Sequence, residues 1–145
     1  MGIQKYSINS ELKNDMEVEI SNGRGHKITI DEPEELGGTD KGMNPVEITL
    51  ASLAGCLSIT AAFLAKKMRV EINNIEIEVE GDIDDKAMSS TEVYSGFQEI
   101  RFNFKIDSDS PKEKVEKLYN SVEDFCPVSD TLINKVELNG KYEIK

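Results

Sequence analysis

The longest uncharged stretch of the chain, residues 48–65, limits the possible folds more than any other feature. Its 18 residues are close to the length at which an apolar helix can span a membrane. Small and hydroxyl-bearing residues make it only mildly apolar: Thr49, Ser52, Gly55, Ser58 and Thr60. We therefore interpret it as a helix buried in a protein core, with no membrane partner. In so small a protein, a helix buried on every side needs a second subunit to cover it.

The residues before this stretch carry the signals of a helix start. Asn44 is a favourable N-cap, Pro45 suits the first helical position, and Glu47 can close a capping box with Asn44. A basic segment at residues 66–69 marks the other end. The sequence therefore predicts one long helix between these two signals.

The N-terminal third alternates apolar and polar side chains, as half-buried strands do. We predict a hairpin with strands at residues 16–21 and 26–31, joined by the turn at residues 22–25. A long, acidic, glycine-rich loop follows at residues 32–43. Long loops in compact domains often carry function, so this loop is a candidate functional segment.

The second half of the chain repeats the order of strand and then helix. Strands are predicted at residues 74–81 and 99–107. A helix follows, with Ser110 and Glu113 as its capping box and one apolar face formed by Val115, Leu118, Tyr119 and Val122. Residues 136–144 are predicted as a final strand or tight hairpin. Strands around two main helices indicate an α+β fold, and we expect a single domain over residues 1–145.

Composition excludes several classes of function. The chain has 145 residues, 17 of them basic and 28 acidic, and its net charge of −11 argues against binding nucleic acid or anionic membrane surfaces. We predict no metal site and no cofactor, because His26 is the sole histidine and the two cysteines are far apart in sequence. The N-terminus lacks an apolar secretory signal, so we expect a cytoplasmic protein without a persistent disulfide.

The cysteine in "FCPVSDTL" can be interpreted in two ways. Pro127 suits the first position of a short helix, which makes Cys126 its N-cap. Unpaired N–H groups and the helix dipole lower the pKa of a thiol at that position. A buried, unreactive cysteine is equally compatible with the segment. The segment alone leaves both alternatives open.

The cysteine in "LASLAGCLSIT" lies in the middle of the predicted long helix. Cys56 therefore needs a nearby cation to become nucleophilic, and the chain has three arginines. Arg101 is predicted in a strand, and Arg69 lies about three and a half turns beyond Cys56. The turn at residues 22–25 can carry Arg24 to the thiol, so Arg24 is our candidate. The alternative is that Arg24 is a solvated turn residue.

Two stretches that contain the cysteines resemble the OsmC/Ohr family, the osmotically inducible and organic hydroperoxide resistance proteins. They read "EELGGTDKGMNPVEITLASLAGCLSITAAFLAKK" and "VEKLYNSVEDFCPVSDTL". The resemblance extends from the hairpin near Arg24 to the C-terminus, and its motifs are NP-x-E…AGC and CPVS-x-TL. It implies antiparallel sheets around two main helices in an intertwined homodimer, with two sites at the subunit interface.

The resemblance also implies a chemistry for the two cysteines. Cys56 would be the peroxidatic thiolate, which reduces an organic hydroperoxide to an alcohol and becomes a sulfenic acid. Cys126 would be the resolving thiol, which condenses with that acid to a disulfide. A dithiol, such as a lipoyl group, would restore the pair. This order of attack opposes the local argument, which makes Cys126 the more acidic thiol.

One position departs from the best-studied branches of the family. In those branches a glutamate directly after the Asn-Pro pair holds the active-site arginine, whereas this chain has Val46. Glu47 lies nine residues before Cys56, about 180° around the helix from it, and suits the capping box instead. We interpret the chain as a less characterised branch of the family.

Three hypotheses of function follow. The first is a thiol peroxidase for organic hydroperoxides. The second is a redox-responsive protein that binds an apolar ligand with weak or no turnover, which Val46 favours. The third is a structural role with unreactive cysteines, which the presence of both cysteines within their motifs opposes.

Overall fold

The computed structural model of the chain describes residues 2–145, which form two compact units. The first extends to Thr49, and the second runs from Leu50 to Lys145. In chain order the elements are β1 (Asn9–Asn14), β2 (Glu17–Ser21), β3 (Lys27–Ile30), a 3₁₀ turn (Glu34–Leu36), α1 (Pro45–Met68), β4 (Asn74–Ile83), β5 (Phe97–Asp107), α2 (Lys112–Phe125) and α3 (Pro127–Ile133). The α+β prediction is therefore confirmed, and the single domain stays a prediction.

The N-terminal unit contains an antiparallel sheet in the order β1-β2-β3. The predicted hairpin is confirmed, with Val18 paired to Ile30 and Ser21 paired to Lys27. Strand β1 was not predicted, because its six residues include one apolar side chain, Leu12, which is exposed. It pairs with β2 at the edge of the sheet, and its register shifts between Leu12 and Asn14.

A buried carboxylate orders the loop that follows β3. Asp31 is 1% exposed and accepts hydrogen bonds from Glu32 N at 2.8 Å, Thr39 Oγ1 at 2.7 Å and Lys41 N at 3.2 Å, and also from Thr39 N. The bond from Thr39 is the main cause that lowers the pKa of Asp31 to about 2, and the backbone donors add to it. The carboxylate is therefore ionised, and it stabilises the loop from within.

Two glycines let this loop pass close to neighbouring backbone. A Cβ atom at Gly38 would lie 1.9 Å from the carbonyl oxygen of Glu32, and one at Gly42 would lie 2.2 Å from that of Thr29. Neither distance is sterically allowed, so both positions require glycine. The loop closes where Asp31 N donates to Met43 O at 3.3 Å.

The predicted capping box at the start of α1 is confirmed. Asn44 N donates to Glu47 Oε2 and Glu47 N donates to Asn44 Oδ1, both at 2.9 Å. The helix ends at Met68, inside the predicted terminal segment. Arg69 follows in the left-handed region, with φ of 54°.

The core of the C-terminal unit lies between helices and one face of a hairpin. Strands β4 and β5 pair antiparallel, which places Ile77 opposite Phe104 and Val79 opposite Phe102. This apolar face packs against α1 and α2. The buried core residues are Leu53, Leu57, Ala61, Leu64, Ala65, Val70, Leu118, Val122 and Cys126.

Within this chain helix α1 is buried along one side, whereas its uncharged sequence predicted burial on all sides with the help of a second subunit. Of its most apolar 18-residue stretch, 28% is buried inside the chain, counted as the share of the stretch. Ile59 and Phe63 are exposed. By length and composition alone the helix is also able to cross a membrane. The buried side packs as a core helix, and the exposed side is where a second subunit is expected.

Two local predictions were wrong. The N-cap of α2 is Pro111, without a side-chain bond, because the Ser110 hydroxyl accepts Glu71 N at 2.8 Å instead. Residues 136–144 form neither strand nor hairpin, and their alternating apolar side chains are exposed. Alternation alone does not make a strand without an edge to pair with.

Candidate functional site

The structure brings the two predicted cysteines together. Cys56 is half-buried on α1, and Cys126 is 1% exposed at the junction of α2 and α3. Both are free thiols, and Cys56 lies near enough to Cys126 to raise the pKa of its thiol. The site therefore contains one accessible and one enclosed sulfur atom close together.

Cys126 is the N-cap of α3, as predicted. Its backbone is extended, Pro127 occupies the first turn, and its Sγ accepts a hydrogen bond from Ser129 N at 3.4 Å. The proline fixes the start of the helix, which holds the sulfur against the first N–H groups.

Of the two interpretations left open for Cys126, the structure bears out burial, whereas the low pKa expected from the helix terminus is wrong in direction. Burial raises the pKa of the Cys126 thiol, and the hydrogen bond with Cys56 raises it further. The N–H groups of Ser129 and Val128 lower it, but they do not offset the burial. Cys126 therefore stays protonated at neutral pH. The sequence showed the helix terminus but not that the sulfur would be enclosed.

The surroundings of the thiols are apolar. Cys126 belongs to the core cluster with Leu57, Leu118 and Val122, and Cys56 packs against that cluster. The site therefore excludes water from Cys126 and provides apolar contacts beside Cys56.

Arg24 lies at the apex of the β2–β3 turn and is exposed. The side chain of Asn22 shapes this turn, since its Oδ1 accepts Arg24 N at 2.9 Å and His26 N at 3.2 Å. Within residues 2–145 the guanidinium of Arg24 forms no ion pair. Arg24 and the thiols belong to different units, so its catalytic role stays a prediction.

The other two arginines are committed elsewhere. Arg101 contacts Asp82, Glu80 and Glu99 at 2.6–3.2 Å, and these hydrogen bonds, that of Asp82 foremost, raise the pKa of its guanidinium. Arg69 ends α1. As predicted, Arg101 lies in a strand and Arg69 lies at the end of the long helix. Arg101 forms ion pairs with three carboxylates.

The first turn of α1 carries no carboxylate that is free to hold an arginine. Val46 occupies the position of the family glutamate and is 41% exposed. Glu47 accepts Asn44 N in the capping box. Among the described residues, no group of three or more His, Cys, Asp or Glu side chains is arranged to hold a metal ion.

An open cleft of mixed polarity lies between β5 and α2. Its volume is about 430 Å³, and aromatic and aliphatic side chains form much of its lining, including Phe102, Phe104, Val115 and Tyr119. Phe104 and Tyr119 meet edge to face at 5.3 Å. The cleft is large enough for a small apolar group.

Fold and site together define a class, a small α+β protein with two neighbouring thiols, one on a long helix and one capping a short helix. The chain belongs to the OsmC-like family. The family model described as "OsmC-like protein" matches residues 38–141, which include both cysteines.

Individual relatives match most of the chain. A hydroperoxide reductase of Mycoplasma genitalium is 28% identical over 130 residues, 89% of this chain and 87% of the relative. The organic hydroperoxide resistance protein OhrB of Bacillus subtilis is 29% identical over 105 residues, 72% of this chain and 71% of its own. The crystal structure of an OsmC-like protein from Mycoplasma pneumoniae superposes with a TM-score of 0.78 at 26% identity, covering 91% of this chain and 89% of that one.

Proposed function

We propose that the protein is a two-cysteine thiol peroxidase that reduces organic hydroperoxides to alcohols. Cys56 attacks the peroxide and becomes a sulfenic acid, and Cys126 then condenses with it to form a Cys56–Cys126 disulfide. The names of two relatives, a hydroperoxide reductase and an organic hydroperoxide resistance protein, support a peroxide-related redox function.

The closeness of the two thiols is the observation that carries this proposal. A disulfide requires two sulfur atoms that can meet without large backbone movement, and Cys56 lies close enough to Cys126 to raise the pKa of its thiol. The half-buried position of Cys56 favours it as the atom that meets the peroxide, because Cys126 is enclosed. The raised pKa of Cys126 also favours Cys56 as the first nucleophile.

Peroxide titration with peptide mass mapping tests the proposal. A slight excess of cumene hydroperoxide over the reduced protein should produce an intramolecular Cys56–Cys126 disulfide. Cys126→Ser should stop at a sulfenic acid on Cys56 that dimedone traps, and Cys56→Ser should not react rapidly. Oxidation of Cys126 before Cys56 would refute the assignment of roles.

The proposal includes a homodimer. The exposed side of α1 is apolar at Ile59 and Phe63. Gly55, one turn before Ile59, has open space around it. A second copy with the same side exposed is an apolar partner of matching chemistry. Light scattering should give twice the mass of the chain, and Phe63→Asp should weaken the dimer. A folded monomer at micromolar concentration would refute this part.

A dithiol reductant and a reducing compartment complete the proposal. A small dithiol, such as a lipoyl group, can exchange with the disulfide through the accessible sulfur of Cys56. A cytoplasmic location would keep both thiols free between turnovers. Steady-state assays should show faster turnover with dihydrolipoamide than with an equal concentration of a monothiol.

The cleft between β5 and α2 supports a second candidate function, a redox-responsive protein that binds an apolar ligand. The edge-to-face pair of Phe104 and Tyr119 lines a volume fit for such a ligand. Absence of turnover with several hydroperoxides, together with saturable binding of an apolar fluorophore that depends on Tyr119, would favour this candidate.

A further inference from the structure

Cys56 has one closed side and one open side. On the closed side it packs against the core cluster, which includes Leu53 and Leu57 of the same helix. On the open side Gly55 and Ile59 are exposed, and Ile59 keeps 73% of its surface accessible. A peroxide that meets the sulfur therefore approaches over the exposed side of α1.

Helix geometry places Gly55, Cys56 and Ile59 beside one another. All three belong to the continuous helix α1, in which residues three and four apart are neighbours on the surface. Helical side chains lean toward the N-terminus, so the side chain of Ile59 lies over the turn that carries Gly55 and Cys56. Among the described residues, a Cβ atom built at Gly55 would meet nothing within 4 Å beyond its chain neighbours and the helix backbone. The three residues thus border an unfilled space, which we call the Gly55 recess.

We propose that the Gly55 recess receives the alkyl group of the hydroperoxide, which makes Ile59 a specificity-determining residue. This proposal rests on the peroxidase function proposed above and names the surface that distinguishes its substrates. Contact between the alkyl group and Ile59 removes apolar surface of both from water, which stabilises the bound substrate.

The direction of attack supports this placement. The Cys56 thiolate attacks the terminal oxygen of the hydroperoxide, an S–O bond forms, and the O–O bond breaks. Sulfur is oxidised by two electrons, and the leaving alkoxide takes a proton from solvent and departs as the alcohol. The alkyl group lies beyond the attacked oxygen, on the side away from the sulfur. Because the core closes the inner side of Cys56, that side is the exposed surface of α1, where Ile59 lies.

Hydrogen peroxide is the reference substrate, since it undergoes the same attack and has no alkyl group to place. Loss of the apolar contact should slow cumene hydroperoxide and spare hydrogen peroxide, whereas a damaged fold or thiol should slow both. Quenched-flow samples are alkylated with N-ethylmaleimide, and mass spectrometry follows loss of the free Cys56 thiol. The quantity compared is the ratio of the two rates, cumene hydroperoxide over hydrogen peroxide.

We expect Ile59→Ala to lower this ratio about fivefold, because it removes most of the apolar surface offered to the alkyl group. Ile59→Leu keeps the apolar surface and should keep the ratio near that of the natural protein. Gly55→Leu fills the recess with a residue that favours helix, and should also lower the ratio. Ile28→Ala is the matched control, the same change at another exposed isoleucine, and should leave the ratio unchanged.

An unchanged ratio for Ile59→Ala would overturn the proposal. A ratio that falls instead in Tyr119→Ala would place the alkyl group in the cleft between β5 and α2, and would overturn it as well. If Ile59→Ala and Gly55→Leu slow both substrates equally and light scattering shows a weakened dimer, the recess belongs to the subunit contact, and the proposal is wrong. If the natural protein loses the Cys56 thiol with neither substrate, the peroxidase function itself fails, which is visible without any variant.

Discussion

Cys126 and Asp31 are equally enclosed, each 1% exposed, yet their pKa values shift in opposite senses. Burial and the nearby Cys56 raise the pKa of Cys126, whereas hydrogen bonds from Thr39 and the backbone lower that of Asp31 to about 2. Apolar side chains surround the thiol, and N–H and O–H donors surround the carboxylate. The difference shows that the number and quality of donors, rather than burial alone, determine which protonation state is stable.

The comparison assigns different work to the two groups. A buried thiol that keeps its proton is a weaker nucleophile than an ionised one, so the comparison favours Cys56 for the first attack. A buried group that is ionised over the working pH range, as Asp31 is, holds its surroundings in place.

The largest expected effect concerns Cys56, whose reactivity as a thiolate depends on a nearby cation. Val46→Glu should restore the carboxylate that holds the active-site arginine in better-studied branches of the family. A charge-assisted hydrogen bond is worth about 1.5–3 kcal/mol. If it acts only in the transition state, oxidation of Cys56 should accelerate roughly ten- to a hundred-fold. Quenched-flow oxidation by cumene hydroperoxide measures the rate.

A double-mutant cycle identifies the arginine. The gain from Val46→Glu should vanish in an Arg24→Ala background, whereas Lys27→Ala, which removes another exposed cation next to the same turn, should leave it intact. Equal gains with and without Arg24 would show that the two residues are not coupled and that Arg24 is the wrong candidate.

Elements whose pattern is local and apolar were predictable from the sequence. The capping box of Asn44 and Glu47, the β2–β3 hairpin and the β4–β5 alternation formed as expected, since each depends on neighbours in the chain. The pairing of Cys56 with Cys126 followed from family motifs. Local sequence alone left the role of each thiol open.

The missed features depend on contacts that are distant in sequence or on polar groups. Strand β1 is polar and exists because β2 offers an edge. Asp31 is one of many acidic residues, and nothing local showed that Thr39 and Lys41 would turn back to it. The pKa of Cys126 required knowledge of how completely the core encloses it. In each case the tertiary environment outweighed the local signal.

The second prediction removes the charge at Asp31. Asp31→Asn should lower the melting temperature by several degrees at pH 7, because neutral amide bonds replace charge-assisted ones. The folded pKa is depressed, so the stabilisation is fully present above about pH 4 and is lost as the pH falls toward 2. The melting curves of the two proteins should therefore converge in acid.

A matched substitution at Thr39 refines this test. Thr39→Val removes the Oγ1 donor at 2.7 Å and keeps the backbone donors. The pKa of Asp31 should rise toward its usual value, and hydrogen exchange at the amides of Thr39 and Lys41 should become faster. Asp31→Asn that melts at the same temperature as the natural protein throughout pH 4 to 7 would contradict the role assigned to the carboxylate.

The smallest expected effect lies at the end of α1, where order depends on backbone geometry. Arg69 adopts φ of 54°, a region that disfavours side chains with a Cβ atom. The last turn closes through Val70 N, which donates to Ala65 O at 2.9 Å, and the Arg69 carbonyl accepts Lys114 Nζ at 3.3 Å. Glycine keeps both bonds and removes the strain, so Arg69→Gly should stabilise the fold by about 0.5–1 kcal/mol.

The same replacement two residues earlier, Lys67→Gly, lies within the helix and should destabilise it by about 1 kcal/mol. Urea unfolding of the two variants should thus give opposite signs, and destabilisation by Arg69→Gly would mean that the arginine side chain contributes more than its backbone strain costs.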